Sequence, residues 1–159
     1  MRNLLIAVAV ACIAFSSAVA RDAKEDVNTA LTSFHTAASK ADWDTYFGLL
    51  TEDSVFMGTD ASERWSKAEF QSYASKTRGW TYTKENRFIY IAAGGNTAWF
   101  DEILNNEKYG TSRGTGVLIR TNDGWKIIQY NLTFPIPNDL AAGITQEIQT
   151  FEARQKVNP

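Results

Sequence analysis

Asp101, Arg113, Gln129 and Asn131 are the residues of this 159-residue chain whose types and spacing could converge on chemistry. A carboxylate in an apolar pocket has its charged form disfavoured, so Asp101 could abstract a proton or, when protonated, donate a hydrogen bond. Arg113 could clamp an anionic ligand through two parallel hydrogen bonds, or it could neutralise Asp101 in an ion pair that closes the pocket. Gln129 and Asn131 could polarise a carbonyl or enolate oxygen, but neither amide can shuttle a proton near neutral pH. His35, the only histidine, lies beside an apolar helical stripe, either on the helix surface or reaching into a pocket. One histidine cannot form a metal cluster, and the acidic residues follow no calcium-loop pattern. No phosphate loop or Ser-His-Asp arrangement stands out, so neither a metal nor a cofactor is expected.

Strand alternation is what would bring these groups together. In "TAWFDEIL" the set Trp99, Asp101 and Ile103 opposes Ala98, Phe100, Glu102 and Leu104. In "RGTGVLI" the matching set is Arg113, Thr115, Val117 and Ile119. In "GWKIIQYNLTFPIPN" it is Trp125, Ile127, Gln129, Asn131 and Thr133, apolar at first and polar later. Placed on one concave face, these sets make a wall that is apolar at depth and polar at its mouth, with Trp65 and Trp99 as aromatic lining. Such a wall suits a small-molecule site. A one-residue slip on any strand would turn its set to the other face.

The elements carrying those strands are legible from local signals. Asp22 can cap a helix whose stripe is Val27, Leu31, Phe34 and Ala38. Asp42 can cap a short second helix with Trp43, Tyr46, Phe47 and Leu50 on one face, followed by the strand "EDSVFMG". Ser66 and Glu69 fit a capping box that opens a third helix with Phe70, Tyr73 and Ala74 inward. Four strands are then expected near Thr81–Ala93, Thr97–Asn105, Ser112–Thr121 and Trp125–Phe134, separated by "GGN", "NNEKYG" and "TNDG" turns. A terminal helix should bury Leu140, Ile144, Ile148 and Phe151. Helices with one early strand, then a four-strand meander, make an α+β domain.

Bulk properties narrow the setting. Residues 1–20, "MRNLLIAVAVACIAFSSAVA", have Arg2, an apolar run and an Ala-Val-Ala end, the pattern of a signal peptide cleaved after Ala20. The apolar run continues past Cys12, which disfavours a lipid-attachment site there, and it is short for a membrane anchor. Residues 21–159 would then form a single domain, secreted or periplasmic, with no membrane attachment after cleavage. Of the 16 Lys and Arg, loss of Arg2 leaves 15 against 18 Asp and Glu, a net charge of −3. That balance, without a basic cluster, argues against nucleic acid as a partner. The only cysteine is Cys12, so the exported chain has no disulfide and must rely on its core, for which five Trp, six Tyr and nine Phe are ample.

The strings "LLTEDSVFMGTDASERWSKAEF", "GNTAWFDEIL", "RGTGVLIRTNDGWKI" and "QYNLTFPIPND" resemble the SnoaL-like branch of the nuclear transport factor 2-like superfamily. The resemblance implies a cone-shaped α+β barrel: a curved, mostly antiparallel sheet wrapped around N-terminal helices, with a C-terminal helix and a hydrophobic pocket at the open end. It also implies pairing of two copies through the sheet. Many relatives carry a histidine where this chain has Asn131, which weighs against acid-base chemistry at that position. Three functions stand open. The first is binding of a small apolar or partly polar molecule. The second is an isomerase, cyclase or dehydratase reaction using Asp101 as acid and base. The third is self-association through an outer sheet face bearing Phe100, with Tyr130, Leu132 and Phe134 either joining it or packing against the terminal helix.

Overall fold

The computed structural model describes residues 23–157; the signal segment read at residues 1–20 and the helix cap read at Asp22 lie outside them. Helix α1 covers residues 23–40 and buries Val27, Leu31, Phe34 and Ala38, the expected stripe. It ends with Ala41 in the left-handed region (φ 54°), while the Asp42 N–H reaches back to the Ala37 carbonyl at 2.9 Å. The Asp42 carboxylate then caps α2, Trp43–Gly48, by accepting from the Thr45 N–H. One residue thus closes one helix and opens the next.

Strand β1, Leu50–Met57, is followed by a short strand β2, Arg64–Ser66, which alternation alone does not reveal. Ser66 is also the N-cap of α3, Lys67–Ala74, and both halves of its capping box with Glu69 are formed. Phe70 and Ala74 are buried as expected, but Tyr73 is half-exposed. The remaining strands are β3 (Thr83–Ile91), β4 (Thr97–Asn106), β5 (Gly110–Thr121) and β6 (Gly124–Thr133), before helix α4 (Asn138–Val157).

The six strands form one curved sheet in the order β2-β1-β6-β5-β4-β3. All neighbours are antiparallel except β1 and β6, which run parallel with Met57 beside Asn131. The sheet is not closed: β2 and β3 are its edges. Its concave face meets α1, α2 and α3 in a core built largely from aromatic rings. Phe70 lies at the centre, its ring 3.9 Å from Phe56 and 5.7–6.0 Å from Phe47, Trp80 and Tyr46, centroid to centroid.

Two expectations of facing are overturned here. On β4 the buried residues are Ala98, Phe100, Glu102 and Leu104, and on β5 they are Ser112, Gly114, Gly116 and Leu118. Trp99, Asp101 and Ile103, with Arg113, Thr115, Val117 and Ile119, therefore lie on the convex face. On β6 the phase changes within the strand. Val117 pairs with Gln129 but Leu118 pairs with Ile127, so Ile128 is an extra residue in a β-bulge. Trp125 and Ile127 face the core as expected; beyond the bulge Tyr130 does, and Gln129 and Asn131 turn outward.

The outer-face apolar set is corrected for the same reason. Phe100 and Tyr130 are buried, and Leu132 packs against the core. The convex face instead carries Phe88, Tyr90 and Trp99. Helix α4 forms where expected but does not bury its stripe: Leu140, Ile148 and Phe151 are 56%, 45% and 61% exposed.

Candidate functional site

Turning β4 over brings Glu102 into the interior, where its side chain is fully buried beneath α1. A buried carboxylate must be met by charge or hydrogen bonds, and three side chains supply them. His35 Nε2 donates to Oε1 at 2.7 Å from α1. Arg87 Nε donates to Oε2 at 2.7 Å from β3, and its Nη2 lies at the same distance, an ion-pair contact too misaligned to be a hydrogen bond. The Tyr130 hydroxyl donates to Oε1 at 3.2 Å from β6. Arg87 is held in turn by the Asn28 carbonyl, the Asn28 Oδ1 and the Thr32 hydroxyl through its Nη1. The network ties β3, β4 and β6 to α1.

Sequence makes room for it at one position. A Cβ on Gly114, which pairs with Glu102 across the sheet, would stand 2.8 Å from the Glu102 Oε1 and collide with the Tyr130 hydroxyl. Gly116, two residues on, is likewise closed by the Phe100 ring at 2.8 Å. Small residues at alternate positions of β5 let bulky groups from the neighbouring strands close over its inner face.

The electrostatics follow from this geometry. Burial pushes the Glu102 carboxyl up, but the hydrogen bond and charge of His35 and the Arg87 guanidinium outweigh it, leaving the group below its ordinary value of 4.5. Burial, reinforced by the Glu102 charge, raises the Tyr130 phenol well above its ordinary range. At neutral pH the centre is therefore an ionised carboxylate receiving a neutral hydroxyl. Because a carboxylate only accepts, Nε2 of His35 carries a hydrogen, which leaves Nδ1 as the ring nitrogen that Glu102 does not engage. Among the described residues Nδ1 has no hydrogen-bond partner, and the His35 side chain keeps 12% of its surface accessible, against 2% for Arg87.

The Glu102 linkage sets a pH dependence. A carboxyl that titrates lower in the fold than in the unfolded chain stabilises fully above the unfolded value, near 4.5, and loses that contribution as pH falls through the folded value. Urea unfolding of the wild type and of Glu102→Gln should show a stability gap that is constant around neutrality and narrows as pH falls below about 4.5. A gap that widens in acid would contradict the assignment.

The residues singled out from the sequence are placed elsewhere. Asp101, Arg113, Gln129, Asn131 and Trp99 do share a face, but it is the convex one. Thr115 lies between Asp101 and Asn131 in one cross-strand row, and Val117 between Trp99 and Gln129 in the next. Among the described residues Asp101 and Arg113 form no ion pair; Arg113 sits opposite Ile103 and Thr133. Trp99 stacks on Tyr90 with centroids 5.6 Å apart. Trp65 alone lies on the inner side, half-buried, its ring 5.2 Å from Phe70 and 5.0 Å from Tyr73.

With this geometry in hand, comparison with known proteins is informative. The sequence profile described as a SnoaL-like domain matches residues 27–137. The chain belongs to the SnoaL-like domain family. No curated protein matches it in sequence. Among solved structures, this SnoaL-like chain is similar to a nuclear transport factor 2-like protein of unknown function from Pseudomonas putida, with TM-score 0.63 and 14% identity over 74% of this chain and 90% of that one. A proposed dehydratase of the same family from Streptomyces avermitilis gives TM-score 0.61 and 18% identity, covering 71% and 96%. A proposed aromatic ring hydroxylase from Novosphingobium aromaticivorans gives 0.61 and 17%, covering 73% and 91%. At such identities the likeness establishes the fold, a SnoaL-like α+β cone, and no activity.

Proposed function

We propose that this SnoaL-like protein is exported and binds a small, partly polar molecule on its inner side, with His35 as the polar group presented to it. The observation that carries this reading is the division of labour in the network. Glu102 receives donors from three side chains, whereas the His35 side chain is partly accessible and its Nδ1 is unpartnered among the described residues. Glu102 then serves as the anchor that orients the ring. Trp65 and Tyr73, tilted against one another and partly accessible, supply apolar aromatic surface on the same side of the sheet.

The same dyad favours a second reading. A histidine oriented by a buried carboxylate is a general base, and a proton-transfer reaction of the isomerase or dehydratase type would use Nδ1 of His35 instead of Asp101. Native mass spectrometry of the protein purified from its own host separates the two. A retained molecule that persists in His35→Gln and is lost in His35→Ala supports a hydrogen-bonding role. If His35→Gln accumulates a molecule that the wild type converts, the residue is a base. An empty wild-type protein, with no molecule restored by extracts of the host, defeats both. N-terminal sequencing of the same material tests export, which requires a start at Arg21.

A further inference from the structure

Nine of the ten large hydrophobic residues that stand exposed among the described residues fall on two surfaces outside the inner site. One is the convex face of the sheet, where Phe88, Tyr90 and Trp99 are about half exposed and Val117 and Ile119 adjoin them. The other runs from the link before α4, with Phe134 stacked on Tyr109 and followed by Ile136, along the helix through Leu140, Ile148 and Phe151. Leu140, Ile144, Ile148 and Phe151 repeat at helical spacing, so they form one stripe. Yet among the α4 residues whose burial is described, only Ala141 and Ile144 are even partly covered.

A 20-residue helix containing Gly143, Thr145 and Thr150 has little intrinsic stability when solvated on all sides. It needs a surface. The helix does not lie on its own sheet, and its exit is stiffened: only residues 134–137 separate it from β6, and Pro135 and Pro137 restrict that link. The Leu140 N–H bonds to the Pro137 carbonyl, fixing the first turn to it.

We propose that α4 is an arm exchanged between two copies of this chain, its apolar stripe lying across the convex sheet face of the partner. Area decides for a second copy and for reciprocity. A 20-residue helix is about 30 Å long and about 10 Å wide, so one helix-on-sheet contact removes about 300 Å² from each side. That single contact, about 600 Å² in all, falls within the range of incidental packing. Two such contacts reach about 1,200 Å², the lower bound of stable interfaces. A second copy supplies both halves at once, because each chain carries one arm and one receiving face, related by a two-fold axis. The inference is independent of any ligand at His35, since the two surfaces lie on opposite sides of the sheet.

Light scattering on the purified protein provides the test. The wild type is expected to be a dimer at micromolar concentration. Phe151→Glu on the arm and Val117→Glu on the receiving face should each weaken pairing by about tenfold or more, with the sheet still folded by circular dichroism. A monomeric wild type, as would follow if α4 folded back on its own sheet, overturns the proposal. So does a dimer indifferent to Phe151→Glu, which would be a sheet-to-sheet contact, or one indifferent to Val117→Glu, which would be a helix-to-helix contact.

Discussion

Glu102→Ala is expected to lower unfolding stability by about 3–5 kcal/mol, because it leaves a buried guanidinium with no counter-charge. The Arg87 side chain is 2% exposed, and the acceptors that remain to it, on Asn28 and Thr32, are neutral. The Tyr130 hydroxyl loses its only acceptor found among the described residues. Chemical unfolding with intrinsic fluorescence would measure the loss. A companion variant makes the cause testable. Glu102→Leu with Arg87→Met removes both charges and fills the space with apolar atoms, and buried ion pairs so replaced often cost little. The double variant should regain most of the stability lost in the single one. If both variants are equally unstable, the hydrogen bonds that Glu102 accepts, and not charge balance, are what the fold requires.

Phe70→Ala should cost a similar amount, about 3–5 kcal/mol, for an unrelated reason. Phe70 is 2% exposed and stands in contact with rings from α2, α3, β1 and β2, and with Trp80 in the segment before β3. Removing the ring deletes transfer free energy and opens a void that rigid neighbours cannot close, since tilted and stacked rings do not collapse like aliphatic chains. The comparison variant is Phe88→Ala, whose ring is 54% exposed on the convex face. Its cost should stay below about 1 kcal/mol. Equal losses at the two positions would mean that the aromatic cluster is not the centre of stability.

Local signals are legible in the sequence because the physics behind them is local. The Asp42 cap and the capping box of Ser66 and Glu69 each involve residues three apart, so spacing alone identifies them. The α1 stripe is equally plain. The candidate site was not legible, and β4 shows why. Both alternating sets of "TAWFDEIL" hold large apolar residues and an acid, so alternation could not choose between Asp101 and Glu102. The clue lay one strand away, in Gly114 and Gly116, whose missing side chains mark the face that others close upon.

On β6 no sequence signal announces the bulge at Ile128, and carrying one phase through it sent Gln129 and Asn131 to the wrong side. His35 was ambiguous until a buried carboxylate was available for it to face. The exposure of α4 is a different kind of miss. Its stripe has the expected helical spacing, but the core of the described residues does not cover it.

The parallel pairing of β1 with β6 also bears on how the chain comes to be folded. The helices present Phe34, Tyr46, Phe47 and Phe70 from the first half of the sequence, but the sheet that covers them includes the last strand at its middle. Closing so long a loop is slow compared with forming helices or the β3–β4–β5 meander. A growing chain therefore carries an uncovered aromatic surface until residues 124–133 have been made, and such surfaces associate readily. Truncation anywhere before Gly124 should yield insoluble material in place of a smaller domain, and rapid release of the completed C-terminus becomes a requirement for yield.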